Sequence, residues 1–354
     1  MVLNAIYEAD FLGFSYGFRP RRGAHDALDA VSVGITRRKV NWILDADIRT
    51  FFDTVSQEWL IRFAEHRIGD RRIIRLIGKW PKAGVLEDGT VTVSERGTGQ
   101  GSVISPLLAN IYLHYVFDLW VERWRQREAT GDMVIVRYAD DLVAGFEHEA
   151  DAHRFLDAMR ERFETFALSL HPDKTRLIVP GLDPGIGRFA APNRAKCGLG
   201  KPETFNFLGF TFICGKSRRG SFQRHRKSRR DRMQAKLQEI KKVLRGRMHQ
   251  PIPEPGQWLK QVVTGWLNYH AVPTNFRALT TFRFLVIDLW RHTLRRRSQK
   301  DWMNWERITR LANDWLPKPR ILHPWPDARF AVRHPRWEPD ALIGPVRICA
   351  GGAG

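Results

Sequence analysis

Two adjacent carboxylates, Asp140 and Asp141, sit between two short apolar runs in VIVRYADDLVAGF, residues 134–146. Val134, Ile135 and Val136 lead in; Leu142, Val143 and Ala144 lead out. Runs of this kind predict two strands joined by a tight turn, which forces both acids to a hairpin tip. Neighbouring carboxylates repel unless a cation neutralises them. Mg²⁺ suits the task, because it takes oxygen ligands and keeps positions open for substrate phosphates. The plain alternative is a solvated turn, Asp being common there.

A third carboxylate strengthens the metal reading. In WILDADIRTFFD, residues 42–53, the apolar Trp42, Ile43 and Leu44 predict a buried strand with Asp47 at its end. A two-metal phosphoryl-transfer site needs carboxylates from different strands that converge in space. Asp47, Asp140 and Asp141 would supply three. Asp45 and Asp53 compete for the role, and either would equally cap a helix or face solvent.

Further blocks surround these two. They are YGFRPRRGAHDAL (16–28), GTGQGSVISPLLANIYLH (97–114), LSLHPDKTRLI (168–178) and FNFLGF (205–210). In this order, with DIRTFFD and YADD between them, the series resembles the successive motifs of group II intron reverse transcriptases with maturase activity. The resemblance spans roughly residues 5–325. It implies an α+β chain, with right-hand polymerase fingers and palm on an antiparallel sheet, followed by an all-helical thumb or maturase domain. It also implies two Mg²⁺ ions, with Mn²⁺ as a substitute, held by Asp47, Asp140, Asp141 and the backbone carbonyl of Ile48. Phe52 matches the ring under the sugar of the incoming nucleotide, which would reject a 2′-hydroxyl. Either Phe51 or Phe52 is expected in the core, since neighbours face different ways. Gln100 and Gly101 match the loop against the new base pair, Lys174 a lysine near the triphosphate, and Arg19 a fingers residue near template or triphosphate.

Two departures from the family pattern stand out. Gly99 replaces the Pro of the usual GTPQG, removing a fixed φ and loosening that loop. Met1 also lies almost directly upstream of YGFRP. The resemblance implies a further basic, helical fingers stretch before that block. The chain is therefore read as N-terminally truncated, and is expected to bind structured RNA but copy it poorly.

The formal net charge is +20, with a pI near 10.5. Such an excess implies long-range attraction to polyphosphate. The charge is clustered: between Lys216 and Arg247 fourteen Lys or Arg face only Asp231 and Glu239. That strip is read as a mobile or partly helical linker over 216–230, with Arg226, Lys227, Arg229 and Arg230 on RNA phosphates and Phe222 and His225 able to stack on bases. A solvated charged face is the bland alternative. No apolar run approaches the ~20 residues of a membrane span. The start of the chain lacks the features of a secretory signal. Cys197, Cys214 and Cys349 form no CxxC pair, so neither a zinc site nor a disulfide framework is indicated. A reducing cytoplasm fits.

The expected organisation is fingers and palm over 1–215, the basic linker 216–230, helical thumb over 231–325, and a tail over 326–354 with no chemistry read in it. Apolar spacing predicts helices over 24–35, 106–124, 153–170, 233–248, 258–272 and 276–297. Within the last two, GWLNYHAVPTN (265–275) and WRHTLRRRSQK (290–300) resemble the family's thumb. Arg291, Arg295, Arg296, Arg297 and Lys300 are expected to form a face against RNA. The expected function is an RNA-directed DNA polymerase and maturase. Its partners would be group II intron RNA, primer DNA, deoxynucleoside triphosphates and target DNA. A non-enzymatic RNA-binding splicing factor and a retron or defence-associated reverse transcriptase remain alternatives.

Overall fold

The computed structural model describes residues 2–80, 85–87, 90–92, 104–178, 204–216, 222–297 and 303–333. The chain divides into two compact units, Met1–Glu203 with Arg329–Gly354, and Thr204–Ala328. Among the described residues no helix is long and apolar enough to cross a membrane.

The first unit runs α1 (Val2–Tyr7), α2 (Ala24–Arg37), β1 (Trp42–Asp47), a single turn α3 (Phe51–Thr54), α4 (Gln57–Glu65), α5 (Arg71–Lys79) and the short pair β2 (Val85–Glu87) and β3 (Thr90–Thr92). It continues through α6 (Ser105–Leu113), a π-helical turn His114–Asp118, α7 (Leu119–Arg127), β4 (Met133–Tyr138), β5 (Asp141–Phe146), α8 (Glu149–Thr165) and β6 (Arg176–Ile178). Four strands form one antiparallel sheet in the order β4-β5-β1-β6. Successive side chains of a strand face opposite ways. Leu44, Ala46, Ile135, Leu142 and Ala144 join one core with Phe155, Met159 and Phe163 of α8. The other face receives α2, where the missing side chain of Gly34 lets Val134 approach; a Cβ there would lie 2.6 Å from a Val134 methyl. With both faces covered, β4 and β5 are buried almost throughout, which is why they read as continuous apolar runs.

The helix expected over 106–124 is interrupted. The π turn inserts one wider loop of backbone into it, a distortion that favours functional sites.

The second unit opens with a three-stranded meander, β7 (Phe205–Phe207), β8 (Phe210–Lys216) and β9 (Phe222–Ser228). Helices α9 (Arg230–Gly246), α10 (Pro253–His270), α11 (Phe276–Arg295) and α12 (Trp305–Trp315) follow, and α13 (Pro326–Arg333) runs across the Ala328/Arg329 boundary into the part of the chain assigned to the first unit. Its core gathers Ile240, Leu259, Val263, Leu279, Phe282, Val286, Trp290 and Ile308. Trp266 stacks on Phe282 at 3.7 Å between ring centres.

Two expectations are corrected here. The basic strip 216–230 is not a linker, because β9 zips onto β8 from Phe210↔Ser228 to Lys216↔Phe222. The backbone of β9 is also held from the other side. Thr274 Oγ1 accepts from Arg226 N at 3.1 Å and Asn275 Oδ1 from Ser228 N at 3.0 Å. Arg226 is consequently 2 % exposed and cannot lie along an RNA backbone. Second, the compact units part at 203/204, so the FNFLGF strands belong with the helices and not with the palm.

Trp290 is fully buried at the centre of the second unit. Trp290→Ala should cost about 3–5 kcal/mol of unfolding free energy. Urea unfolding followed by far-ultraviolet circular dichroism checks this, and a loss below about 1 kcal/mol would contradict the packing described.

Candidate active site

Strand register brings the acids to one end of the sheet. β1 pairs with β5 so that Asp47 lies opposite Asp141, and β4 pairs with β5 so that Tyr138 closes on Asp141. Ala139 and Asp140 form the two-residue tip. Ala139 takes φ 55°, the positive value that hairpin turns of this length require. Asp45 sits two residues further down β1, opposite Val143 and Arg176, and Asp53 is exposed on α3.

The tip is seated by one buried cation. Arg137 is 0 % exposed and each of its five N–H donors is used. Nε and Nη2 donate to the two carboxylate oxygens of Asp118 at 2.7 and 2.6 Å. Nη2 also donates to Ser15 Oγ at 2.7 Å, and Nη1 to Asn110 Oδ1 at 2.9 Å and the Ala139 carbonyl at 3.1 Å. Burial raises the Asp118 pKa, but Arg137 and His114 together outweigh it and hold the carboxyl below its ordinary range. Asn110 in turn donates to the Gly17 carbonyl at 2.7 Å. The backbones of Phe14 and Tyr16 flank Arg137, accepting from its N–H at 2.9 Å and donating to its carbonyl at 2.8 Å. Gly17 then lies flat on the tip: a Cβ there would be 2.3 Å from Ala139 N, so only glycine fits. Neither Arg137 nor Asp118 was singled out in the sequence. The buried position of an Arg inside an apolar strand, directly before the acids, is the signal that could have found the pair.

The other expected residues divide. Lys174 Nζ contacts Asp47 Oδ2 at 2.6 Å, and that hydrogen bond and charge raise the lysine's pKa. The Asp140 pKa is also raised, first by burial and then by the charge of Asp47. Phe51 is core and Phe52 is half-buried beside it, ring centres 5.4 Å apart. The Ile48–Leu170 bridge is carried by Arg49 N to Ser169 O at 2.9 Å and His171 N to Asp47 O at 2.8 Å, so neither bond uses the Ile48 carbonyl.

Arg19 is a correction. It is 6 % exposed and pairs with Glu8 at 2.8 Å, while its Nη1 caps the carbonyls of Leu12 and Ser15 at 2.7 and 2.8 Å. It staples the loop after α1 and has no donor directed at a nucleotide. In the second unit, Arg229 is paired with Asp231, while Lys227 and Arg230 are exposed. Arg291 pairs with Asp288 and covers Trp305 at 4.5 Å. Arg297 donates to Gln250 O at 2.7 Å. Only Arg295 and Arg296 of the expected α11 face are exposed, because consecutive residues of a helix point about 100° apart. Gln100, Gly101, Gly99 and Lys300 lie outside the described residues.

Among the described residues no three His, Cys, Asp or Glu side chains close into a metal-binding group. The donor chemistry nevertheless fits a hard divalent cation. The acids share one sheet end, burial and then the charge of Asp47 raise the Asp140 pKa, and a lysine ammonium already sits on Asp47. The raised Asp140 pKa has a measurable consequence. Between the ordinary carboxylate value and its own, the folded chain binds the extra proton, so stability falls as pH rises through that window and the cost persists above it. Asp140→Asn should therefore melt at a higher temperature than the parent at pH 7, with the gap closing as pH falls below the carboxylate range. Mg²⁺ should raise the parent's melting temperature more than the variant's. A variant that melts with the parent at pH 7 contradicts the strained carboxylate.

Comparisons with known proteins fall on this same region. The reverse transcriptase (RNA-dependent DNA polymerase) family matches residues 2–212. Protein YkfC of Escherichia coli K12 is 32 % identical over 212 residues, covering 50 % of this chain and 54 % of that protein. Group II intron-encoded protein LtrA of Lactococcus lactis subsp. cremoris is 40 % identical over 114 residues, 32 % of this chain and 19 % of the relative. An uncharacterised 91 kDa protein in the cob intron of Schizosaccharomyces pombe is 41 % identical over 114 residues, 32 % and 14 % respectively. The chain thus spans about half the length of the first relative and less of the others. Among solved structures, apo telomerase from Candida tropicalis aligns with a TM-score of 0.46 at 13 % identity over 93 % of this chain and 50 % of that one, too low a likeness to carry weight. The motifs, the four-stranded antiparallel sheet and the match over more than half its length make this chain a member of the reverse transcriptase family.

Proposed function

We propose that the chain is an RNA-directed DNA polymerase and maturase of a group II intron. The observation that carries the reading is the register of Asp47 against Asp141, with Asp140 at the adjoining tip. Reverse transcriptases work with divalent metal ions, and Asp47, Asp140, Asp141 and the Ile48 carbonyl would hold two Mg²⁺ here. When bound, these ions make a primer 3′-oxygen nucleophilic and neutralise charge on the triphosphate.

The chain's own residues do the rest. Attack of the 3′-oxygen on the α-phosphorus of a deoxynucleoside triphosphate forms the new P–O bond and expels pyrophosphate, the hydroxyl proton passing to water. Arg137 fixes the hairpin, so the carboxylates meet the reacting atoms without rearrangement, which is where small displacements are costly. Lys174 balances Asp47 in the unloaded site and turns to the triphosphate once that carboxylate is engaged. Phe52, half-buried on the core, offers one ring edge to the sugar. The second unit supplies cations for the backbone of intron RNA, and splicing by that RNA needs no catalytic residue from the protein. The reading as a non-enzymatic splicing factor is less well supported, because the three acids and their seating are intact.

Asp140→Ala should abolish primer extension under Mg²⁺ while RNA affinity stays within about twofold of the parent, since a carboxylate neutralises no phosphate. Robust extension by this variant would sink the assignment. Phe52→Ala should raise ribonucleotide relative to deoxynucleotide incorporation in the same assay. An unchanged ratio would return Phe52 to a purely packing role.

A further inference from the structure

The second unit carries a hollow that the catalytic reading does not use. It lies between α9 and α11 and encloses about 170 Å³. Lys241 and Arg245, one turn apart on α9, form one wall, and His292 and Arg296, one turn apart on α11, form the other. Met248 and Leu289 make an apolar floor beside Thr293. Leu289 rests on the core beneath, next to the buried Trp290.

The charges are unbalanced. Among the described residues, Lys241, Arg245 and Arg296 form no ion pair and no side-chain hydrogen bond, and no carboxylate lines the hollow. His292 alone approaches an acid, Asp288 at 3.5 Å. Cations do favour the C-terminal turns of helices, and both helices end here. That accounts for one or two of them. It does not account for a ring that adds like charge at i, i+4 on α9, which is unfavourable in itself. An anion would balance this arrangement. The apolar floor adds a second requirement, a flat apolar group joined to that anion.

We propose that this hollow binds one unpaired nucleotide of RNA, its base on Met248 and Leu289 and its phosphate between Lys241, Arg245 and Arg296. A bare phosphate would leave the floor wet. A paired nucleotide could not enter, because its base is held in the stack, and unpaired bases are what protein pockets on RNA receive. The volume is enough for one base. The proposal rests on the reading of this chain as an RNA-binding protein and deepens it, by making the second unit a reader of RNA shape.

The test uses the full chain and two fluorescein-labelled RNA hairpins, identical but for one bulged nucleotide, with binding followed by anisotropy at fixed salt. The parent should hold the bulged hairpin at least about fivefold tighter, the lower end for one stacked base. Thr293→Phe fills the hollow without changing charge, and Met248→Trp fills it from the floor. Both should level the two hairpins and leave the paired one unaffected. The double variant Lys241→Ala with Arg245→Ala should weaken both, flattening the salt dependence by about 0.7–0.9 for each phosphate no longer neutralised. A parent that binds both hairpins equally, or filling variants that keep the preference, overturns the pocket and leaves general RNA binding standing. A parent that binds neither hairpin overturns both. Poly-glutamate held as tightly as RNA, and released by the same filling variants, would reassign the hollow to an acidic protein.

Discussion

Arg137 is a full positive charge with no contact with water, on the strand that leads into the Asp140–Asp141 tip. A buried ion of this kind is tolerated only when its partner and its remaining donors are all in place. Asp118 provides the counter-charge, and Ser15, Asn110 and the Ala139 carbonyl take the other donors. These groups come from the loop after α1, from α6, from the π turn and from the hairpin itself. Three stretches distant in sequence, α6 and the π turn that continues it counting as one, therefore cannot assemble independently. Removing any one acceptor leaves a charge half-satisfied in the core, so the chain has strong reason to assemble them together.

Around that anchor the backbone is strained. Phe18, Arg21, Thr50 and Ala139 all have positive φ, an outlier for a bulky residue such as Phe. Strain of this kind persists only where the surroundings over-determine it, and here it flanks the acids on both sides. The electrostatics show the same economy. Lys174 on Asp47 offsets one of the three carboxylate charges gathered at this end of the sheet.

The local patterns were legible in the sequence. The β-branched runs on either side of Asp140 and Asp141 predicted the hairpin, and the apolar spacing of 153–170 and 276–297 predicted α8 and α11. The pairing of Asp47 with Asp141 needed a tertiary register that no local pattern encodes; the chemistry of a two-metal site suggested the convergence, and family resemblance chose Asp47 over Asp45 and Asp53. The failures share a cause. Arg19 and Arg226 are charged residues in basic, turn-rich contexts, where charge reads as exposure. Both are buried because backbone carbonyls or a neighbouring strand claim them first. The strand β9 was missed because its alternation is of charged with polar residues, and its partner β8 supplies the apolar half of the pairing.

The π turn at His114–Asp118 bears on how such a chain can change over generations. It carries one residue more than a regular helix would use for the same rise. Removing that one residue would restore regular α-helix, so α6 and α7 would keep their phase and Val121 and Trp124 would still face the core. What would go is the widened turn itself, and with it the backbone that sets Asp118 under Arg137. A shortening that the helix alone would accept is therefore opposed by the buried ion pair. Divergence in length at this point is limited by the charge beside it and not by the helix.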